Sequence, residues 1–270
     1  MEADMPDRDS WEERGFFIER GLLSAAVTEQ IEREAVEAIR ADPPAGHGGE
    51  RVYSTADDLL IYPEKAPSPV ARNPEDFIAK VFNCHIVGAA HDLAVDTVLT
   101  DPLQGILIDD IDCFQSQFIF KNPGVVGQPW HQDAYYFRYD KQPQVTVWVA
   151  LSRATLENGC LWVLPGSHKR QQVFEHVPDR RPESLQGYQE IVSEDTTQEI
   201  PVTMEPGDVL FFHSYLMHRS TDNVADYRRS AMVYHYAEAG TKPVDAVAAA
   251  TLAHVNRWIP ARRATFNIPA

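Results

Sequence analysis

Short apolar runs ended by turn residues fill the sequence from about Asp112 onward, and they constrain its fold more than any other feature. The runs cover Phe114–Lys121, Val145–Leu151, Cys160–Leu164, Asp208–Phe212 and Ser230–Ala237. Pro, Asn and Gly adjoin most of the runs, and these residues favour turns. Many short strands separated in this way are typical of an antiparallel sandwich or barrel. The sequence therefore predicts a mainly β core over about residues 112–240.

The first part of the chain has a helical pattern instead. Over Ser24–Arg40 apolar residues recur at intervals of four, which predicts an amphipathic helix with Ser24 as its N-cap. These apolar residues are Val27, Ile31, Ala35 and Ile39. A second helical stretch is predicted over much of Phe77–Leu99. We expect one domain over residues 1–270, with a helical N-terminal region to about residue 111, the β core, and a C-terminal tail over residues 241–270.

Charge and cysteine content limit the partners and the compartment. Against 24 Lys and Arg stand 40 Asp and Glu, so the net charge is −16 at pH 7, and such a chain repels nucleic acid and anionic membranes. The acidic N-terminus is unlike a signal peptide, and no apolar run approaches the roughly 18 residues of a membrane span. Three Cys without a CxxC pair argue against disulfides and a thiolate zinc site. We therefore expect a cytoplasmic protein without nucleic-acid or membrane partners.

The tetrapeptide Trp-His-Gln-Asp ending at Asp133 contains the first candidate metal ligands. His131 and Asp133 are two residues apart, so an extended chain places both side chains on one side. Two imidazoles and one carboxylate suit iron(II), because ligands on one face leave the opposite positions open. The second histidine is either His213 or His218, which are five residues apart. An unbroken strand would aim these two to opposite sides, so only one of them is expected to bind.

Four motifs in this order make the chain resemble the phytanoyl-CoA dioxygenase family. They are His131-Gln-Asp133, the segment Thr155–His168 with its Asn-Gly-Cys-Leu, the Pro206-Gly-Asp208 turn, and His218 followed eleven residues later by Arg229. The Asn-Gly-Cys-Leu part is closer to the phytanoyl-CoA dioxygenase domain-containing proteins than to other members. The resemblance implies a double-stranded β-helix, that is, a jelly-roll or cupin-like core with flanking helices.

The resemblance also implies which residues bind iron(II) and 2-oxoglutarate. It implies that His131, Asp133 and His218 are the iron(II) ligands. Arg229, rather than its neighbour Arg228, then matches the arginine that pairs with the distal carboxylate of 2-oxoglutarate.

Three further residues match positions beside the cosubstrate. Ser220, two residues after His218, matches a hydroxyl that assists the arginine. Trp148 matches an aromatic residue placed against the cosubstrate, although a Trp in an apolar strand is equally typical of a core. Gln117 shares a strand face with Lys121, and family members often use a polar residue there. For Ser220 and Gln117 a purely structural hydrogen-bonding role stays open.

By this resemblance the chain is a dioxygenase that uses iron(II), 2-oxoglutarate and O2. The implied reaction hydroxylates an aliphatic carbon of a small-molecule or acyl substrate and releases succinate and CO2. Halogenating relatives replace the carboxylate ligand by a small residue, so Asp133 argues against halogenation. Two other classes stay open: a non-catalytic binding module on the same fold, and a zinc hydrolase with the same ligands, in which Arg229 would have no role.

Substrate selectivity is expected to lie in the loops. The nearest candidates to hold the phosphates of an acyl-CoA are two basic pairs, Lys169-Arg170 and Arg180-Arg181, in the irregular segment Lys169–Glu199. We expect that segment, the loop Ala41–Asp58 and the tail after Gly240 to frame the mouth of the barrel.

Overall fold

Strands make up most of the regular structure. The computed structural model describes residues 8–49, 51–107, 110–185 and 187–263. The acidic start of the chain through residue 7 and the end of the predicted tail, residues 264–270, lie outside these described residues. Within them the strands are β1 (Phe16–Glu19), β2 (Tyr53–Ser54), β3 (Leu60–Pro63), β4 (Ile78–Phe82), β5 (Ile111–Lys121), β6 (Val145–Ala150), β7 (Leu161–Val163), β8 (Val177–Pro178), β9 (Gln189–Glu190), β10 (Ile200–Val202), β11 (Val209–His213), β12 (His218–Ser220), β13 (Arg229–Glu238) and β14 (Ile259–Arg262). The α-helices are α1 (Arg8–Arg14), α2 (Ala25–Ala41), α3 (Gly88–Val95), α4 (Thr97–Thr100), α5 (Asp133–Tyr136) and α6 (Ala246–Leu252), and 3-10 helices cover Pro44–His47, Pro74–Phe77, Cys84–Ile86 and Ser167–Arg170.

Two antiparallel sheets form the core. The large sheet has the strand order β1-β11-β6-β13-β5-β4-β3-β2, and β14 also pairs with β5. The small sheet has the order β10-β7-β12, while β8 and β9 pair with each other. This arrangement confirms the prediction of a mainly β, jelly-roll core with flanking helices.

Alternation of side chains along β6 separates the two faces of the large sheet. Val147 and Val149 pack with Ile31 of α2 and with other residues of the largest hydrophobic cluster. Trp148 faces the other way and belongs to a second cluster. That cluster includes residues of the small sheet: Leu161, Val163 and Val202. The large sheet therefore presents every second residue of β6 to the interior between the two sheets.

Helix α2 confirms the helix predicted from the apolar spacing. Ile31 and Ile39 are buried, and Val27 and Ala35 pack against the same cluster while staying partly exposed. Ser24 occupies the N-cap position, but its hydroxyl caps no main-chain N–H. Among the described residues, no helix combines the length and the apolar character needed to cross a membrane.

The N-terminal region is not purely helical. The helix predicted over Phe77–Leu99 is wrong in its first half, because Ile78–Phe82 forms β4 between β3 and β5. Helix α3 begins only at Gly88. The first four residues of β4 are all buried, and a strand covered on both faces lacks the alternation that identifies a half-exposed strand. Strands β1 to β4 all precede residue 111, so the expected order of helices followed by strands is also wrong.

Candidate active site

Three of the predicted site residues come together in the interior. His131, Asp133 and His218 each offer one ligand atom, and these atoms lie within 4.8 Å of one another. Oδ1 of Asp133 is 3.9 Å from Nε2 of His131 and 3.8 Å from Nε2 of His218. All three residues are buried. The described residues contain no second cluster of this kind, so the geometry points to one candidate metal centre.

The main chain holds the two histidines side by side. The N–H of His131 donates to the carbonyl of His218 across 3.0 Å, and the N–H of His218 donates to the carbonyl of His131 across 3.0 Å. Gln132 has an extended backbone, so His131 and Asp133 lie on the same side of the chain, as their spacing predicts. The chain is not an unbroken strand between His213 and His218, because β11 ends at the first and β12 begins at the second.

Gln132 has a structural role that its sequence pattern does not reveal. This buried side chain donates to the carbonyls of Gln172 and Tyr215 across 3.1 and 2.7 Å. Its own carbonyl oxygen accepts the N–H of Phe174 across 2.8 Å. Gln132, which lies between His131 and Asp133 in the sequence, thus links both candidate ligands by hydrogen bonds to the irregular segment Lys169–Glu199.

Hydrogen bonds behind each imidazole ring determine which nitrogen faces the centre. Nδ1 of His131 donates to the carbonyl of Pro129 across 2.8 Å, and Nδ1 of His218 donates to the carbonyl of Leu216 across 3.0 Å. Because a carbonyl only accepts, Nε2 of both rings keeps a free lone pair. Burial, followed by the facing His218, holds the pKa of His131 well below its usual value. This imidazole is therefore neutral at pH 7, as a metal ligand must be.

A hydroxyl from β6 orients the carboxylate of Asp133. Thr146 donates to Oδ2 across 2.6 Å, which leaves Oδ1 turned towards the two histidines. Burial raises the pKa of Asp133, but His218, His235 and His131, together with the Thr146 hydrogen bond, outweigh burial and keep that pKa below its usual value. Asp133 is therefore ionised at pH 7 and can bind a cation.

His235 and Gln117 extend this hydrogen-bond chain. Nδ1 of His235 lies 3.0 Å from Oγ1 of Thr146, and it donates because the hydroxyl hydrogen is given to Asp133. The amide nitrogen of Gln117 donates to Nε2 of His235 across 3.3 Å and to Oε1 of Gln115 across 3.0 Å. Both amide hydrogens of Gln117 are used within the protein, so this side chain offers a cosubstrate only its carbonyl oxygen. Burial lowers the pKa of His235 to about 4, and the ring is neutral at pH 7.

The three candidate ligands open onto a cavity of about 450 Å³. The other four predicted site residues line the same cavity: Gln117, Trp148, Ser220 and Arg229. The structure therefore brings all seven predicted residues to one cavity, while the individual role of each stays a prediction.

Arg229, the first residue of β13, is a buried cation with unused donors. Its Nη2 donates to the carbonyl of Gly159 across 3.2 Å, whereas its buried Nε and Nη1 have no partner among the described residues. Its guanidinium carbon lies 5.2 Å from the ring centroid of Trp148. Burial lowers the pKa of Arg229 to about 10, so the group is charged at pH 7. This arrangement suits a carboxylate, which a guanidinium binds through two parallel hydrogen bonds.

Two alternative candidates face away from the cavity. Arg228 donates to Oδ1 of Asn122 and pairs with Oδ1 of Asp76, both at 2.7 Å. Arg228 precedes the first residue of β13, and unlike Arg229 it does not line the cavity. His213 accepts a main-chain N–H across 2.9 Å and does not line the cavity.

Three charged residues in the cavity have no role in the sequence-based prediction. Glu64, Lys80 and Lys121 are all buried and line the cavity. Burial raises the pKa of Glu64 to about 7, lowers that of Lys80 to about 8, and lowers that of Lys121 well below its usual value. Lysine and glutamate are seldom buried. The strand face that Lys121 shares with Gln117 could have indicated Lys121, but no local pattern indicates Glu64 or Lys80.

The segment Lys169–Glu199 and the C-terminal tail both contribute to the cavity wall, as expected. The segment supplies Glu183, Leu185, Gly187, Tyr188 and Gln189. The tail supplies Thr251, Leu252, His254 and Val255. The expectation for Ala41–Asp58 is wrong, because no described residue of that loop lines the cavity. Tyr62 of β3 and the nearby Glu64 occupy that part of the wall instead.

Sequence comparison relates the chain to one protein family. The model of the phytanoyl-CoA dioxygenase family matches residues 11–231. The phytanoyl-CoA dioxygenase of Arabidopsis thaliana is 34% identical over 125 residues, which are 46% of this chain and 44% of that protein. The chain thus spans less than half the length of this relative. The methylphosphonate hydroxylase of Gimesia maris is 29% identical over 230 residues, which are 84% of this chain and 78% of that protein.

Structural comparison gives the same fold at low sequence identity. The epimerase SnoN, crystallised with Fe3+, alpha ketoglutarate and nogalamycin RO, superposes with a TM-score of 0.62 at 17% identity. The match covers 89% of this chain and 86% of that chain.

Proposed function

The chain belongs to the phytanoyl-CoA dioxygenase family, and from this membership we propose that it is an iron(II)- and 2-oxoglutarate-dependent dioxygenase. In the proposed reaction it hydroxylates an aliphatic carbon of a small-molecule or acyl substrate and releases succinate and CO2. One observation carries this proposal. The candidate metal ligands share a cavity with Arg229, whose unused donors have no partner among the described residues.

The donor set of the three residues fits iron(II). Two imidazole nitrogens and one ionised carboxylate oxygen converge from one side, and this set leaves positions open for other ligands. Iron(II) bound there would supply, with 2-oxoglutarate and O2, the oxidative chemistry that no side chain supplies. The same fold in SnoN was crystallised with Fe3+ and alpha ketoglutarate, which supports the assignment.

The protein's own part is to bind, to orient and to exclude water. Arg229 and Ser220 would hold the distal carboxylate of 2-oxoglutarate. The buried rings of Trp148 and Phe212 line the cavity and would keep water from the space between that carboxylate and the metal. Thr146 would keep Asp133 in one orientation while the ligands bind.

The size of the cavity favours a small substrate. The volume of about 450 Å³ lies at the lower end of the range for small-molecule sites, and 2-oxoglutarate must share it. The relative that aligns over most of both chains is named for hydroxylating methylphosphonate, a small substrate. The basic pair Lys169-Arg170 does not line the cavity, which lessens the case for an acyl-CoA. We propose a small metabolite, held by the segment near Tyr188 and the tail near His254.

The test is formation of succinate from 2-oxoglutarate. Protein loaded with iron(II) without oxygen is exposed to O2, first alone and then with a panel of small metabolites, and Asp133→Ala is the blank. We expect slow succinate formation above the blank and stimulation by a panel member. If the loaded protein forms no succinate and does not bind 2-oxoglutarate, the oxygenase proposal fails. Zinc-dependent hydrolysis, or ligand binding without turnover, would then identify one of the two alternatives.

A further inference from the structure

Lys121 and Arg229 form a pair of buried basic residues at one edge of the cavity. They are directly paired residues of β5 and β13, and their exposed fractions are 4% and 2%. Among the described residues neither side chain lies within ion-pair distance of a carboxylate, although the more distant Glu64 and Asp222 act electrostatically on Lys121. A buried charge is costly unless an opposite charge or hydrogen bonds compensate it. Arg229, which is charged and has two buried donors without a partner among the described residues, therefore calls for an anion that these residues do not supply.

The hydroxyl of Ser220 lines the same cavity as this pair, and its oxygen accepts two hydrogen bonds. Nζ of Lys121 donates to Oγ across 3.1 Å, and the N–H of Gln128 donates to Oγ across 3.1 Å. A hydroxyl oxygen has two lone pairs, and these two donors use both. The hydroxyl hydrogen is left to be donated, and no described residue receives it from Ser220.

Gly159 contacts both basic side chains. Its carbonyl accepts the Nη2 hydrogen bond of Arg229. A Cβ atom on Gly159 would lie 2.3 Å from Cε of Lys121 and 2.5 Å from the carbonyl oxygen of Thr221. Only glycine leaves room for the lysine stem here, and the backbone φ of +81° also favours glycine.

These contacts together define a pocket that presents hydrogen-bond donors to its ligand. It offers Nε and Nη1 of Arg229 and the hydroxyl hydrogen of Ser220. We propose that Lys121 is a positioning residue for the cosubstrate. By occupying a lone pair of Ser220 it turns that hydroxyl into a donor for the distal carboxylate of 2-oxoglutarate. This inference rests on the proposed function and adds a residue to which the sequence motifs give no role.

The test measures binding rather than turnover. The affinity of iron(II)-loaded protein for 2-oxoglutarate is measured by calorimetry without oxygen, and again for 2-oxopentanoate, which lacks the distal carboxylate. Lys121→Met keeps the length of the side chain and removes its donor. We expect this variant to bind 2-oxoglutarate on the order of tenfold more weakly, the effect of losing one charge-assisted hydrogen bond. Its affinity for 2-oxopentanoate should equal that of the wild type.

A double-variant cycle separates positioning through Ser220 from a general loss of charge. In a Ser220→Ala background, Lys121→Met should weaken 2-oxoglutarate binding little further, because the hydroxyl through which it acts is gone. An equal loss in both backgrounds would overturn the positioning role, and so would unchanged 2-oxoglutarate affinity in Lys121→Met.

The thermal midpoint of each variant verifies folding, and Lys169→Met, at an exposed lysine that pairs with Glu13, is the control. If the wild type binds 2-oxopentanoate as well as 2-oxoglutarate, the distal pocket does not exist. If it binds neither, the proposed function itself fails.

Discussion

Thr146 donates its hydroxyl hydrogen to Oδ2 of Asp133 across 2.6 Å, so the two oxygens of this carboxylate have different tasks. Oδ2 is held by the neighbouring strand, while Oδ1 lies 3.8 Å from Nε2 of His218. A carboxylate fixed in this way presents one oxygen to a metal without first giving up rotational freedom.

Replacing Thr146 should therefore weaken metal binding. Thr146→Val keeps the shape and removes the hydroxyl, and we expect the iron(II) affinity to fall about 10- to 100-fold. Thr146→Ser keeps the donor and should retain most of the affinity. Anaerobic titration with iron(II) measures both variants. Equal affinities of the valine and serine variants would contradict a role for the hydroxyl.

Loss of a ligand should abolish the metal site without unfolding the protein. His218→Ala is expected to lose stoichiometric iron binding and all succinate formation, because it removes one of three donors that converge within 4.8 Å. His213→Ala is the matched control. It should keep the metal. Its thermal midpoint should fall because the variant loses packing between the two rings of His213 and Trp11, whose centroids are 5.6 Å apart. Metal analysis of the purified variants tests this, and retained iron in His218→Ala would count against the assignment.

The two adjacent arginines should differ in their effect on 2-oxoglutarate. Arg229→Ala should raise the required concentration steeply, since a lost buried pair with a carboxylate is worth on the order of 2–5 kcal/mol. Arg228→Ala should leave that requirement unchanged and cost only about 1 kcal/mol of stability, as is usual for a partly exposed ion pair. The dependence of succinate formation on 2-oxoglutarate concentration distinguishes the variants. If only Arg228→Ala raised the 2-oxoglutarate concentration needed for succinate formation, Arg228 and not Arg229 would be the residue that binds the distal carboxylate.

His85 should make the unfolding free energy depend on pH. Its Nε2 donates to the carbonyl of Arg257 across 2.6 Å, and its Nδ1 accepts from Ser116 across 2.8 Å. Burial lowers its pKa from 6.5 to about 4, so below pH 6.5 the unfolded chain takes up a proton that the folded chain does not. Stability then falls as the pH falls, by about 2 kcal/mol between pH 7 and pH 5 for such a shift.

Denaturant unfolding of the metal-free protein at pH 7 and pH 5 measures this dependence. His85→Asn should be less stable than the wild type at pH 7 and should lose correspondingly less stability on acidification. The same pH dependence in both proteins would show that His85 is not responsible.

Gly159 should tolerate alanine less well than another glycine of similar backbone conformation. At Gly159 the new methyl group would collide with Lys121 and with the carbonyl of Thr221. Gly21 also has a positive φ, of +60°, but a Cβ there meets nothing within 4 Å. Gly21→Ala should cost about 1–2 kcal/mol for the left-handed backbone alone, and Gly159→Ala should cost more and also weaken 2-oxoglutarate binding. Thermal unfolding and calorimetry test the pair, and equal behaviour would refute the close packing.

Local spacing predicts part of the site because backbone geometry transmits it directly. The two-residue interval places His131 and Asp133 on one side of an extended chain, and Arg229, eleven residues after His218, begins β13 at the cavity. Lys80 and Glu64 could not be predicted in this way. Their burial depends on strands far apart in sequence, and charged residues with no local pattern are ordinarily assigned to the surface.

Strand β4 shows that local sequence predicts the fold, too, only in part. Ile78–Phe82 lies between two other strands and is covered on both faces over most of its length, so its apolar residues show no period of two. Only its pairing with β3 and β5, which the local sequence does not reveal, distinguishes it from a helix. The runs after residue 112 were predictable because turn residues mark their ends.

Both strands and irregular segments contribute residues to the cavity wall. His218 and Arg229 begin strands β12 and β13, whereas Tyr188 and His254 come from irregular segments outside the barrel. Substitutions in those segments can alter what the barrel admits without disturbing the groups that would perform the oxidation. Successive substitutions in these irregular segments could therefore change the substrate one step at a time. At each step the candidate metal ligands and Arg229 would keep their positions.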